Sequence, residues 1–552
     1  MTDRLPLSSG DSSLSRRSFV ATASSIVAAA LVPSSPALAE HAKPPTAPMR
    51  SAQSVAELEE RTIGELQAAF THGELTSHQL TEQYLQRIES MDRKGPTLRC
   101  VLETNPDALV IADALDAERK AGKVRGPMHG IPVLVKDNID TADRMLTTAG
   151  SLALAGTRPM RDAFLVERLR AAGAIVLGKT NLSEWANFRS SHSTSGWSAR
   201  GGQTHNPYAL DRTPSGSSSG SAGAAASNYC SVAVGTETDG SITSPASACS
   251  LVGIKPTVGL VSRSGIVPIS HTQDTAGPMT RTVTDAAVLL SVLAGADPRD
   301  VATRGAPSID YARVLDPDGL RGARIGVARK KFTGYSRAAD AAFETALAVM
   351  KDRGAVIVDP ADIASAGTFD DAEFDVLLYE FKADLATYLA TRPAGSSART
   401  LDDLIAFNRA HADAELPYFA QEIFEMSAKK GSLASPAYLK ALAKCRDGAR
   451  THGIDVTLAK HKLDAIVAPT QGAPGLIDLV NGDAGGSSST TPCAVAGYPA
   501  ITVPMGYTHG LPLGLTFMGR AWSEGVLIKL AFAFEQATKV RKAPRYLATA
   551  EL

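Results

Sequence analysis

The chain has 552 residues and a formal charge of −1, from 56 lysines and arginines against 57 aspartates and glutamates, with 44% hydrophobic and 5% aromatic residues. Without a basic excess it exerts no electrostatic pull on a nucleic-acid backbone, and this composition excludes a disordered tail or a collagen-like repeat. The length suits one large α/β core or several smaller domains.

The first segment reads as a processing signal. Ser15-Arg16-Arg17-Ser18-Phe19 leads into a 14-residue apolar run, Phe19 to Val32, followed by the small-residue site Ala37-Leu38-Ala39. That run is shorter than the roughly 20 residues that span a bilayer. Residues 1–39 are therefore expected to be a twin-arginine export signal, cleaved to leave 40–552 as an exported, periplasmic or secreted chain with no membrane anchor.

Beyond the signal, Thr76 and Gln79 form a capping box with Leu75 and Leu80 as its staple, which predicts a helix start. Leu80, Tyr84, Leu85 and Ile88 then share one apolar helical face. Short β-like runs follow at Ile131–Val135, Ala174–Gly178, Ala323–Val327 and Ala355–Val358, alternating with helical stretches at Ala163–Ala172 and Ala338–Lys351. This alternation predicts an α/β protein, a central sheet covered by helices. No Pro-rich linker divides the mature chain, so a single large domain is expected. Cys100, Cys230, Cys249, Cys445 and Cys493 are scattered without C-x-x-C spacing, which argues against a disulfide scaffold or a zinc knuckle. No cofactor box is visible.

Two segments interrupt the pattern, the Gly/Ser-rich run at 213–224 and a Gly/Ser/Pro loop at 470–498. The first packs small hydroxyl residues and glycines too densely for a helix or strand, so it reads either as a flexible linker or as an active-site loop. Its sequel, Gly235-Thr236-Glu237-Thr238-Asp239-Gly240-Ser241, places a serine after a glycine behind the apolar stretch Val232–Val234. Such a turn leaves room for a substrate carbonyl and can aim backbone N–H groups at an oxyanion. The 470–498 loop suits a lid over the site or an inert excursion.

A nucleophilic serine needs a base. His129, His192, His205 and His271 lie near these segments, yet none has a G-x-S-x-G context or an evident acid partner. Lys136 ends the apolar run Gly130-Ile131-Pro132-Val133-Leu134-Val135. It could reach solvent from a strand end, or be carried inside, where desolvation lowers a lysine pKa from about 10.4 toward neutrality and makes it a base. Tyr379, Glu380 and Phe381 lie on a predicted helix, either lining a cleft or divided between core and solvent. Trp185 and Trp197 read as core aromatics.

Taken together, Gly130 to Asp137, Ser215 to Ser221 and Gly235 to Ile242 resemble the three blocks of the amidase signature family. Val252 to Gly259, Gln273 to Met279, Gly510 to Leu515 and Gly519-Arg520 continue the likeness over residues 55–540. The resemblance implies an α/β amidase signature fold with a mixed twisted sheet covered on both faces. It also implies a cofactor-free, metal-free serine hydrolase with a Ser–cis-Ser–Lys triad. Carried over, Ser241 is the nucleophile, Ser217 the bridging serine after a cis peptide from Gly216, and Lys136 the base. Backbone N–H groups of Thr238, Asp239, Gly240 and Ser241 form the oxyanion hole, and Ser218 supports the loop. Ser215 and Ser219 depart from family glycines, and Asp239 stands where the family often has glycine.

Thr243 bears on the substrate. Members acting next to a carboxylate, including the A-type component of tRNA-dependent amidotransferases, carry an arginine two residues after the nucleophile, and this chain lacks that clamp. Gly235–Thr243 together with Ser195–Ser198 and Arg200–Gln203 resembles the peptide amidase branch, which removes ammonia from C-terminal peptide amides. Aryl acylamidase or broad aliphatic amidase activity stays open. An amidotransferase component fits less well, since neither nucleic acid nor an obligate protein partner is indicated.

Overall fold

The computed structural model describes residues 58–551; the segment expected to be an export signal, with its expected cleavage site, lies outside the described residues. Thirteen strands are present among these residues: β1 (Val101–Thr104), β2 (Pro132–Lys136), β3 (Ile175–Thr180), β4 (Trp197–Ser198), β5 (Gly202–Gln203), β6 (Val232–Glu237), β7 (Val252–Lys255), β8 (Thr275–Thr280), β9 (Arg324–Val327), β10 (Val356–Val358), β11 (Ala465–Pro469), β12 (Ala500–Thr508) and β13 (Leu511–Met518). Eleven of them form one mixed sheet in the order β1-β3-β2-β6-β8-β7-β12-β13-β11-β9-β10, and β4 and β5 make a small separate hairpin. Strands β3, β2 and β6 run parallel, as do β11, β9 and β10, whereas the segment from β6 through β8, β7, β12 and β13 to β11 is antiparallel.

Residues of β2, β3 and β6 are buried along their whole length. Covered on both faces, they read as near-continuous apolar runs rather than as alternation, which is why they stood out in the sequence. The expected helices at Ala163–Ala172 and Ala338–Lys351 are Phe164–Ala171 and Arg337–Asp352. The capping box is formed as the sequence predicts: Thr76 Oγ1 accepts the Gln79 N–H and the Gln79 side chain accepts the Thr76 N–H. Helices Val283–Leu293, Arg337–Asp352 and Glu524–Thr538 lie on the sheet, and short helices Ser219–Ala226 and Thr243–Ala248 lie on its other side. All five cysteines are buried and unpaired. No helix among the described residues is long and apolar enough to cross a membrane.

Two expectations need correction. The run at 213–224 is not loop throughout, because Ser219–Ala226 is helical and every one of its residues is buried. Composition misleads here because the small residues are required by close approach: a Cβ on Gly220 would lie 2.3 Å from the Cys100 carbonyl oxygen, and one on Gly223 2.4 Å from Cys100 Sγ. The 470–498 stretch likewise ends in a buried helix, Thr491–Ala496, started by Pro492 in its first turn. Replacing Gly220 with alanine should destabilise the fold by about 1–3 kcal/mol through overpacking. An unchanged urea midpoint for Gly220→Ala would remove this account of the helix.

Candidate active site

Lys136 is the last residue of β2 and is fully buried. Its Nζ lies 2.8 Å from Ser217 Oγ, 2.9 Å from Thr236 Oγ1 and 3.3 Å from the Thr236 carbonyl. Burial lowers its pKa to about 7, against the opposing charges of Asp274 and Glu237, which favour the protonated form. Asn138 Nδ2 donates to Thr236 Oγ1 at 3.0 Å and fixes that hydroxyl from the other side. Thr236 sits on β6, the parallel neighbour of β2, and reaches the amine because Val135 pairs with Val234 in that register.

The Gly216–Ser217 peptide is cis. Ser217 is buried, and its carbonyl accepts the Ser183 N–H at 3.1 Å. No side chain fits at Gly216, where a Cβ would fall 2.3 Å from Ser183 Oγ. Ser218 closes the turn against β6: its Oγ donates to the Thr236 carbonyl at 3.0 Å, accepts the Thr236 N–H at 3.2 Å, and its own N–H reaches the Ser241 carbonyl at 3.1 Å. The two serines at family glycine positions bond to one another, Ser219 Oγ donating to the Ser215 carbonyl at 2.7 Å. Ser215 still holds the left-handed φ of 62° that suits glycine there.

Ser241 follows Gly240, whose φ of 75° makes the turn. The serine is 8% exposed and its hydroxyl has no hydrogen bond among the described residues, which leaves it open to the site. The backbone N–H groups of Thr238, Asp239, Gly240 and Ser241 likewise meet no acceptor among these residues. Four donors without acceptors thus follow one another along this turn. The next two N–H groups are taken: Glu237 Oε2 accepts from Ile242 at 2.8 Å, Thr243 at 2.9 Å and the Thr243 hydroxyl at 3.1 Å. Asp239 turns its Oδ2 to the Thr491 hydroxyl at 2.7 Å.

Residues 79–528 match the family model for Amidase. The chain belongs to the amidase family. It is 53% identical to the peptide amidase of Stenotrophomonas maltophilia, whose crystal structure superposes with a TM-score of 0.85 over 88% of this chain and 99% of that one. A "probable amidase" of Arabidopsis thaliana is 44% identical over 89% of this chain and 92% of its own length. The A-type component of the glutamyl-tRNA(Gln) amidotransferase of Chloroflexus aurantiacus is 36% identical over 88% of this chain and 98% of its own length. The chain is thus an amide-hydrolysing enzyme with a single large α/β domain.

Residues not named as candidates in the sequence complete the site. Asn138, Thr236 and Glu237 lie within or beside the quoted blocks; strand register sets Thr236 against the lysine, and Asn138 bonds Thr236 from the turn after β2. Gln273 opens another quoted block, Gln273 to Met279, whereas Glu373 carried no such signal. Gln273 Nε2 bridges the Thr238 carbonyl at 3.3 Å and Glu373 Oε1 at 2.8 Å. Asp274 accepts the Thr238 hydroxyl at 2.6 Å.

Other candidates fall elsewhere. His129 Nε2 faces the Leu115 carbonyl, His205 Nδ1 the Leu210 carbonyl and His271 Nδ1 the Asp384 carboxylate. None of these rings bonds to Ser217 or Ser241. Phe381 is core, stacked on Phe424 at 5.3 Å. Glu380 is not solvated: it is buried and accepts from Ser270 Oγ, the Thr272 N–H and hydroxyl, and the Tyr438 hydroxyl. His271, Glu380 and Asp384 bring possible ligand atoms within 4.8 Å of one another, but these groups are already engaged with each other and with those donors. Trp185 and Trp197 are core residues, packed edge-on to Phe424 and Phe419 respectively. A cavity of about 740 Å³ lined by Asp140, Arg263, His271, Asp274 and Asp384 does not include Ser241 and touches the site only through Asp274. The 470–490 stretch lies across the loops beside the serines, with Asp483 accepting the Ser195 N–H at 2.9 Å and the Gly475 carbonyl accepting that of Thr213 at 2.9 Å.

Glu237 is therefore the buttress of the Ser241 turn. Glu237→Ala would orphan two buried N–H groups, so the amidase should lose at least about 2 kcal/mol of stability. Chemical denaturation of this variant measures it, and a loss below about 0.5 kcal/mol would show that the turn holds without its carboxylate.

Proposed function

We propose that this amidase removes ammonia from C-terminal peptide amides, with Ser241 as nucleophile, Ser217 as proton bridge and Lys136 as base. The observation that carries the reading is the surroundings of the Lys136 amine. A neutral amine has two N–H donors and one lone pair. Thr236 supplies two acceptors for the donors, which leaves the lone pair to Ser217 Oγ. Burial supplies the other requirement, a pKa of about 7, so the neutral form is present at ordinary pH.

In this mechanism Lys136 takes the Ser217 proton as Ser217 takes that of Ser241, and Ser241 Oγ bonds to the amide carbonyl carbon. The carbonyl oxygen becomes an oxyanion facing the N–H groups of residues 238–241. The proton then runs back through Ser217 to the amide nitrogen, the C–N bond breaks, ammonia leaves, and an ester to Ser241 remains. Water, deprotonated by the same relay, releases the acid.

Two observations support a peptide amide as substrate. The chain is 53% identical to a peptide amidase along nearly the whole of that protein. The position two residues past the nucleophile is Thr243, whose hydroxyl is engaged by Glu237 and cannot clamp a substrate carboxylate. This also argues against the amidotransferase reading.

Ammonia release from an N-protected dipeptide amide, run beside an acyl anilide and a simple aliphatic amide, tests the substrate; faster turnover of either control would move the enzyme to another branch. Ser241→Ala should lower kcat by about four orders of magnitude or more while leaving the fold intact. The profile of kcat/KM should rise with pH around 7 as Lys136 loses its proton. A rate flat from pH 5 to 9 would sink the lysine base.

A further inference from the structure

The backbone N–H groups of residues 238 to 241 meet no acceptor among the described residues, so the direction of each is set by whatever holds the carbonyl of its own peptide. In a trans peptide the C=O and the N–H point opposite ways, and none of the peptides from Glu237 to Ser241 is cis. The Gly240 carbonyl accepts the Ser244 N–H at 2.8 Å, a backbone anchor that aims the Ser241 N–H. The Asp239 N–H is anchored differently. The carbonyl of its peptide, that of Thr238, accepts from the Gln273 side chain at 3.3 Å, a residue 35 positions away in the chain.

Gln273 is itself held in place. It is 2% exposed, and its Nε2 carries two N–H donors. One goes to Thr238 and the other to Glu373 Oε1 at 2.8 Å, on the buried side of the helix Asp370–Ala390. The amide cannot be reversed, because a backbone carbonyl only accepts, and Gln273 Oε1 would then face the Thr238 oxygen. Next in sequence, Asp274 accepts the Thr238 hydroxyl at 2.6 Å and is tied by the N–H groups of Ile269 and Ser270 at 2.8 and 2.9 Å. Two adjacent residues ahead of β8 therefore grip Thr238, one by its carbonyl and one by its side chain, and the peptide between Thr238 and Asp239 cannot turn over.

We propose that Gln273, backed by Glu373, is a positioning residue for amide hydrolysis: by holding the Thr238 carbonyl it aims the Asp239 N–H at the oxyanion. A hydrogen bond to the carbonyl also polarises the amide and strengthens its N–H as a donor. The gain is realised as charge develops on the substrate oxygen, so it favours the transition state over the bound amide. This rests on the reading of Ser241 as nucleophile with its oxyanion on residues 238–241.

The probes are the amide that the wild-type enzyme turns over fastest and the aldehyde of the same acyl group. The aldehyde adds Ser241 Oγ at its carbonyl carbon, the serine proton passes to Ser217, and the carbonyl oxygen takes the oxyanion position. Gln273→Met keeps the side-chain length and removes the donor. Its kcat should fall at least about tenfold and the aldehyde should bind at least about tenfold less tightly, while KM changes less than about threefold. Glu373→Leu should move kcat and aldehyde binding the same way, and Glu373→Gln, which keeps an accepting oxygen, should stay within about threefold of wild type. The rise of kcat/KM near pH 7 should keep its place in every variant, because the relay is untouched. A kcat for Gln273→Met within about threefold of wild type would overturn the proposal. So would KM and aldehyde affinity weakening equally, a displaced pH limb, or a Glu373→Gln variant as impaired as Glu373→Leu. Should Gln273→Met not fold, the Glu373 pair decides by the same criteria. Failure of the underlying reading shows separately, as turnover that survives Ser241→Ala.

Discussion

The desolvation of one amine organises this enzyme. An ammonium group prefers water strongly enough that a buried lysine either finds counter-charges or gives up its proton. Lys136 is given neither full hydration nor a contacting carboxylate. It receives neutral oxygens from Ser217 and Thr236, with Asp274 and Glu237 acting at longer range. Burial pulls the pKa down, the two carboxyls pull it back, and the balance falls near 7. Three parallel strands seal the amine from solvent, and the serine turns pack tightly against their ends because bulkier side chains would admit gaps or clashes. Histidine, with its pKa already near neutrality, would need no such enclosure, which is why this machinery looks so different from a Ser-His-Asp site.

Much of this is legible in the sequence alone. An apolar run ending in lysine and two Gly/Ser blocks bring together chemistry that neither would suggest alone, and the structure sets Lys136 against Ser217 with Ser218 tied to Ser241. Strand runs are readable because burial on both faces makes them uniformly apolar. The helix Ser219–Ala226 is not, because glycine and serine are poor helix formers in isolation and only packing against Cys100 and Asn181 explains their presence. Glu373 is equally hidden, and Gln273, although it opens a family-like block, gives no hint of this partner. Their meeting depends on a helix more than a hundred residues downstream of the turn it touches, and no local pattern encodes a contact at that range. Glu380 misleads in the opposite direction: a glutamate on a helix normally faces water, but four donors from Ser270, Thr272 and Tyr438 make burial tolerable.

The acidic surroundings of the turn connect base strength to the structure of the turn itself. Carboxyls that hold the lysine pKa up also set the local potential, so a substitution that alters one changes the other. Glu237 shows the coupling most plainly, since it acts on Lys136 through space and holds Ile242 and Thr243 by direct bonds.

The strand order has a consequence for how the molecule comes into being. Strands β1, β3, β2, β6, β8 and β7 form one block that carries all the residues of the proposed relay, and β11, β9 and β10 form another. What joins them is the hairpin of β12 and β13, which follows all of these strands in the sequence and inserts between β7 and β11. During synthesis, then, two part-sheets wait with open edges, and open edges invite pairing with other chains. The middle of the sheet is completed by strands made after both of its flanks.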